Sequence, residues 1–306
     1  MIRQSWRKAA LHMDTVVRMT VVTSQPEWVV ASRLERAFQA FGFVEQVCSR
    51  FSAQSEMARL SLQVGNPTRV SELLFQALGF ALEMAEDTGG AFDPTVGRRM
   101  EVYGFNRNYL SGERRDSQAD PDGPVSYRDV VLNEVHHTVL LRKPLALDLG
   151  AVAKGLAVDL AARELAPFEG FLIDAGGDIY AGGLNECGEP WTIGVRHPTC
   201  QDGVICRFRL TDMAVCTSGS YERPSPIRTD AHHLIDPRSG AAPSHLLSCT
   251  VVAPFAMLAD ATSTAAFILG REKGMAYLDA TGLDGLFIGP SLEMHITNSL
   301  MKDVLA

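Results

Sequence analysis

The sequence predicts an α+β protein, and three observations carry that expectation. Apolar residues recur at helical spacing in the N-terminal third, and short strand-like runs crowd the chain after residue 129. No regular strand–helix–strand rhythm connects those runs, which argues against a doubly wound parallel sheet. Val30, Leu34, Ala37, Phe38 and Phe41 mark a first helix. Val70, Leu73, Leu74, Ala77, Leu78, Ala81, Leu82 and Ala85 mark a second, with Asn66-Pro67 ahead as cap and first turn and Gly89-Gly90 as stop. Residues 110–126 (LSGERRDSQADPDGPVS) are polar and rich in Gly, Pro and Asp, and they read as a mobile surface loop. Strands follow at DVVL and TVLL around a short turn, then at GFLID, WTIGV, VICRFRL, AVCTSG and SCTVVA. One helix over about 152–165 interrupts them, and another starts near Met257.

At 306 residues the chain fits two domains or one large two-lobed domain. Apolar residues at 46% and charged residues at 21% are the balance of a globular protein with a sizeable core. Twenty-eight basic against 36 acidic residues leave a net charge of −8. That sign argues against a nucleic-acid backbone or an anionic membrane as the main partner. A phosphate-bearing ligand would need a metal ion or locally placed cations. The N-terminal stretch lacks the apolar segment of a secretory signal, and no run of 18 apolar residues occurs. The six cysteines (Cys48, Cys187, Cys200, Cys206, Cys216, Cys249) form no CxxC pair and read as reduced, mostly buried thiols. Cytoplasm is the expected compartment.

The familiar phosphate and hydrolase motifs, GxxxxGK[ST], GxGxxG, HExxH and GxSxG, are absent. Four less familiar clusters remain. Asp148-Leu-Gly-Ala-Val-Ala-Lys154-Gly runs from an apolar strand into a helix, whose N-terminus and lysine suit an anion. The same residues fit an ordinary strand–helix joint. Asp174-Ala-Gly176-Gly177-Asp178 allows close approach of a ligand to backbone, and equally a plain turn between strands. Ser218-Gly-Ser220-Tyr221-Glu222 precedes His232-His233-Leu-Ile-Asp236-Pro237-Arg238-Ser-Gly240, where adjacent histidines on extended chain cannot both face one site. Asp260 and Thr264 stand four apart, so on a helix a carboxylate and a hydroxyl share a face, as Mg²⁺ prefers. Asp, Ser and Thr also favour the first turn of any helix.

In order along the chain, GAFDPTVG, DLGAVAKG, DAGGDIYAGG, TSGSYER, HHLIDPRSG and ADATSTAAFILG resemble the FAD:protein FMN transferase family of ApbE type. The resemblance runs from about Met13 to Leu269. It implies a T-fold-related, two-lobed architecture across residues 1–306, with mixed or antiparallel sheets and flanking helices. It also implies FAD as substrate, Mg²⁺ as metal, and an acceptor protein flavinylated on Thr or Ser with release of AMP.

The family's site residues carry over one at a time. His12-Met13-Asp14-Thr15 resembles the family's Met-Gly-Thr, so Met13 is expected on the flavin, and Asp14 departs from the usual glycine. Phe51 takes the place of the family's flavin-lining tyrosine, and a ring and a thioether suit an isoalloxazine. Ala91, Phe92 and Asp93, with Asp148, Lys154, Leu234 and Ser263, match FAD-contacting positions. The Ala151 backbone carbonyl, Asp260 and Thr264 match the metal ligands. Asp174 stands where the family commonly has Asn.

An alcohol nucleophile attacking a pyrophosphate benefits from a general base. His233 is the candidate, with Asp236 as its orienting partner. With water in place of the protein hydroxyl, the same site would act as an FAD pyrophosphatase. Without turnover it would be an FAD-binding module.

Overall fold

The computed structural model describes residues 4–108, 112, 114–117, 125–200 and 202–305. Most of the 110–126 segment lies outside the described residues. The strands are β1 (Gln4–His12), β2 (Thr15–Thr23), β3 (Thr68–Arg69), β4 (Val130–Asn133), β5 (Thr138–Leu141), β6 (Gly170–Ala175) and β7 (Asp178–Gly183). They continue as β8 (Trp191–Arg196), β9 (Val204–Leu210), β10 (Met213–Gly219), β11 (Ser248–Ala253), β12 (Asp284–Ile288), β13 (Met294–Ile296) and β14 (Val304–Leu305). The helices are α1 (Glu27–Cys48), α2 (Glu56–Leu60), α3 (Glu72–Asp87), α4 (Gly97–Val102), α5 (Gly150–Leu165) and α6 (Ala256–Thr281). The α+β class expected from the sequence is what the chain adopts.

Two compact units divide the chain. One holds residues 1–42, 154–219 and 245–306, and the other 43–153 and 220–244. The first is built on an eight-stranded sheet of order β1-β2-β6-β7-β10-β11-β12-β13, antiparallel at every pairing. A three-stranded sheet, β14-β9-β8, shares an apolar core with it. In β8 the side chains alternate strictly. Trp191, Ile193 and Val195 enter that core while Thr192, Gly194 and Arg196 face out, so this layer has one wet face. Strand β11 (SCTVVA) is buried at every position. Its Val252 joins the sheet-on-sheet core, and α6 packs on β10, β11 and β12. Neither face meets water, so the polar Ser248 and Thr250 are buried along with the apolar residues.

The β1–β2 hairpin was not among the expected strands. Its two-residue turn, Met13-Asp14, adopts left-handed φ of +49° and +59° without a glycine.

The second unit contains the antiparallel sheet β3-β5-β4 and a small core of Tyr103, Phe105, Ala231 and Ile235. Helix α3 begins later than the sequence implied. Ser71, not Asn66-Pro67, is its cap and accepts the N–H of Leu74 at 3.3 Å. The Glu56 carboxylate fixes that cap by accepting the Ser71 N–H at 2.5 Å and its hydroxyl at 2.6 Å. Thr68 and Arg69 pair with β5 instead, so Val70 lies before the helix. The helix ends as expected ahead of Gly89 and Gly90, which take φ of +58° and +78°.

Candidate functional site

The second unit carries Phe51, Ala91, Phe92, Asp93, Asp148, Ala151, His233, Leu234 and Asp236 of the expected residues. The apolar stretch before α5, expected as a strand, is irregular over residues 144–149, and Asp148 within it does two things with its carboxylate. Oδ1 accepts the Gly150 N–H at 2.7 Å, capping the start of α5, and Oδ2 pairs with Arg50 Nε at 2.6 Å. The Arg50 guanidinium also lies 4.2 Å from the centre of the Phe51 ring and donates to the Phe105 carbonyl. Phe105 in turn meets the His233 ring edge-on, with centroids 6.4 Å apart. Arg50 therefore joins the aromatic ring expected on the flavin to Asp148 and to the backbone beside His233. Nothing local in the sequence signals that Arg50 has a partner 98 positions along the chain.

Asp93 is buried, and both its carboxylate oxygens accept hydrogen bonds. Oδ1 accepts from the Thr95 N–H and hydroxyl, and Oδ2 accepts from the Tyr127 N–H at 3.0 Å. Burial raises its pKa, and these hydrogen bonds with the Arg99 charge oppose the rise. Ala91 and Phe92 are buried beside it, with the Phe92 N–H on the Thr88 hydroxyl. In α5, Ala151 departs from helical dihedrals, with φ −93° and ψ +16°. That ψ rotates its carbonyl relative to the helix ladder.

The two histidines differ sharply. His232 is buried, with Nδ1 accepting the Leu234 N–H at 3.2 Å and Nε2 lying 2.8 Å from the Pro243 carbonyl. A ring accepting at Nδ1 and donating at Nε2 is neutral and spent on the loop. His233 lies between the His232 and Phe105 rings, edge-on to both. Asp236, expected as a partner for His233, forms a bidentate pair with Arg238 at 2.9 and 3.0 Å. Burial pushes the Asp236 carboxyl up, but the hydrogen bonds and charge of Arg238 bring it below its usual value.

The first unit carries Met13, Lys154, Asp260, Ser263 and Thr264. Met13 occupies the strained hairpin turn. Lys154 points its ammonium at two buried carboxylates. It hydrogen-bonds Asp178 at the start of β7 and stands 3.9 Å from Asp260 Oδ2 on α6. Asp178 lies in a motif the sequence singled out, but no role was assigned to it. Thr264 is one turn beyond Asp260, and the Ser218 hydroxyl lies 2.9 Å from both Ser263 Oγ and Thr264 Oγ1. Gly155 lets α5 approach α6 closely, since a Cβ there would meet Ala256 O and Met257 Cα at 2.5 Å. The Gly176-Gly177 pair, at φ of +68° and +98°, makes the β6–β7 turn, with Asp174 Oδ1 accepting the Gly177 N–H.

The buried Cys216 thiol, 3.6 Å from the Ala256 carbonyl, feels the same carboxylates electrostatically. Burial, and then the charges of Asp178 and Asp260, hold it well above its ordinary pKa, so it stays protonated. All six cysteines are free, and Cys48, Cys206, Cys216 and Cys249 are buried. Among the described residues no helix is long and apolar enough to cross a membrane.

The ApbE family model matches residues 13–287. The FAD:protein FMN transferase of Treponema pallidum (strain Nichols) is 32% identical, covering 98% of this chain and 89% of its own length. That of Escherichia coli (strain K12) is 30% identical, covering 78% and 71%. Among solved structures, the ApbE protein of Thermotoga maritima superimposes with a TM-score of 0.88 at 28% identity, covering 98% of this chain and 99% of that one. The flavin transferase ApbE of Vibrio cholerae gives 0.82 at 25% identity, with the same coverage. A model match over most of the chain and a relative this similar along nearly all of it show that the protein belongs to the ApbE family.

Proposed function

We propose that this protein transfers the FMN moiety of FAD to a Thr or Ser hydroxyl of an acceptor protein and releases AMP. The observation that carries the reading is the buried Asp260 carboxylate with the Thr264 hydroxyl one turn on, beside the Lys154 ammonium, in a chain whose relatives are named FAD:protein FMN transferase. The donor set fits Mg²⁺, since a carboxylate and hydroxyls are hard oxygen ligands and the nearby Cys216 is held as a neutral thiol. Asp260, Thr264 and the Ala151 carbonyl would hold the ion. When bound, it supplies charge neutralisation at the pyrophosphate.

The chain's own residues do the rest. Lys154 places a fixed cation for the phosphates, which an acidic protein needs. Phe51 and Met13 offer a ring and a thioether to the isoalloxazine. The remaining FAD contacts fall to Ala91, Phe92, Asp93, Asp148, Leu234 and Ser263. His233 accepts the proton of the acceptor hydroxyl as its oxygen bonds to the FMN-side phosphorus. The bond from that phosphorus to the bridging oxygen breaks, and AMP leaves with the electron pair. His232, neutral and bonded to backbone on both sides, is the poorer base. The Asp236–Arg238 pair shapes the loop that presents His233, in which Gly240 donates to the Asp236 carbonyl at 2.7 Å. A cytoplasmic location belongs to this proposal; six free thiols, four buried and two exposed, fit a reducing compartment, and cell fractionation tests it.

The test of the site is FAD- and Mg²⁺-dependent AMP release by wild type and Asp260→Asn, with folding checked by thermal melt. The substitution keeps shape and removes charge, so release should fall by at least ~100-fold. A folded variant with the wild-type rate and Mg²⁺ requirement would remove Asp260 from the site.

A further inference from the structure

Asp178 is buried, its side chain only 4% exposed, and it lies within hydrogen-bond reach of Lys154. Its position is fixed by backbone. The glycine turn delivers the chain into β7 at this residue, and Asp178 pairs with Ala175 across the turn. The other side of the cluster is equally fixed, because Gly155 seats α5 directly on the first turn of α6. Neither helix nor strand is free to slide, so side-chain torsions decide which carboxylate the ammonium favours. It favours Asp178, while Asp260 Oδ2 stays at 3.9 Å.

We propose that Asp178 is a positioning residue that draws the Lys154 ammonium away from Asp260 and thereby sets the affinity for the divalent cation. This rests on the assignment of Asp260 to the metal site. The Lys154 ammonium stands between two buried carboxylates and sides with Asp178, which leaves the Asp260 carboxylate the better placed to favour a cation. A neutral Asp178 would hold the ammonium less strongly and leave Lys154 competing with the ion for Asp260. Removing Lys154 would do the opposite. The two substitutions therefore shift metal binding in opposite directions, which a merely structural role for either residue would not produce.

The experiment is calorimetric titration of MgCl₂ into the full-length protein without FAD, for wild type, Asp260→Asn, Asp178→Asn, Asp178→Glu and Lys154→Met, each checked by thermal melt. Asp178→Asn should weaken Mg²⁺ binding by about 10-fold and Asp178→Glu should largely restore it, the scale expected from one nearby charge heavily screened. Lys154→Met should tighten binding several-fold, by roughly the same electrostatic argument. Unchanged or tighter binding by folded Asp178→Asn overturns the inference. If that variant does not fold, unchanged or weaker binding by Lys154→Met overturns it instead. If wild type binds no Mg²⁺, or Asp260→Asn binds as wild type does, the metal assignment falls and this inference with it. If Asp260→Asn alone loses binding, the metal assignment stands and only the role of Asp178 is refuted.

Discussion

The Asp159 carboxylate caps a helix to which it is not joined. Oδ1 accepts the Ala256 N–H at 2.7 Å and Oδ2 accepts the Met257 N–H at 2.9 Å. Helix α6 has Phe255 at its N-cap, which offers no side-chain acceptor, so Asp159 of α5 satisfies donors its own sequence leaves open. Asp260 follows within one turn. Asp159→Ala should destabilise the protein by about 1–3 kcal/mol, the cost of a lost cap and buried donors left unmet. Asp159→Asn, which keeps an acceptor, should cost less. Urea unfolding of the three proteins measures the order; equal stability of Ala and wild type would contradict it.

Arg50 is the matching support in the other unit, with its side chain 13% exposed and that of its partner Asp148 14% exposed. Arg50→Met leaves a largely buried carboxylate without its counter-ion, a loss of about 3–5 kcal/mol. Arg50→Lys should recover only part, because one ammonium cannot serve Asp148, the Phe51 face and the Phe105 carbonyl together. Both variants should bind FAD more weakly in a fluorescence titration. Wild-type affinity in folded Arg50→Lys would show that the guanidinium fork is dispensable.

His233→Ala should lower turnover by roughly 10²–10⁴-fold while leaving FAD affinity near wild type, as expected for loss of a general base. The corresponding change at His232 should instead lower stability, since its ring bonds the backbone of Leu234 and Pro243. Rates of AMP release and thermal melts separate the two. A reversed pattern would move the base to His232.

These cases show what the sequence could and could not convey. The α+β class, helix α5, the start of α6 and the strands at GFLID, WTIGV, VICRFRL, AVCTSG and SCTVVA were legible because burial leaves a local apolar pattern, whereas β7 among them was not expected. The clusters around Asp148, Asp174, His232 and Asp260 were visible as residues, but their pairings were not. Arg50 with Asp148 and Asp159 with Ala256 join positions about a hundred residues apart, and no local pattern encodes such a contact. A lone Asp in the apolar run Leu156-Ala-Val-Asp159-Leu-Ala-Ala was the one available hint that something buried needed a carboxylate. The first hairpin was missed because its turn uses Met13-Asp14 where a type I′ turn usually advertises Asn-Gly.

That turn gives a stability prediction. Asp14 holds φ of +59°, and its Oδ1 is buried with no hydrogen-bond partner among the described residues. Asp14→Gly removes both penalties against the greater chain entropy of glycine, for a net gain of about 1 kcal/mol. Denaturant melts check it, and a destabilised variant would show that Asp14 is held by something stronger than the turn.

Glu169 supplies a pH signature. Hydrogen bonds from Thr23 and from Ser24 bring its carboxyl from an ordinary 4.5 down to about 2. A depressed folded-state value means this contribution is present above pH 4.5 and is lost as pH falls toward 2. Glu169→Gln should therefore flatten the acid limb of stability over that window and leave the slope above it unchanged. Identical acid limbs in the two proteins would contradict the assignment.

The central claim is covalent transfer of FMN, and intact-mass spectrometry of an acceptor protein tests it most directly. The acceptor is incubated with this protein, FAD and Mg²⁺, while AMP and FMN are followed by chromatography. The account predicts one FMN added to the acceptor on a Thr or Ser, AMP released in equal amount, and no adduct with Asp260→Asn. Free FMN with AMP and an unmodified acceptor would make the protein an FAD pyrophosphatase, and unchanged FAD would make it a binding module; either result contradicts the account.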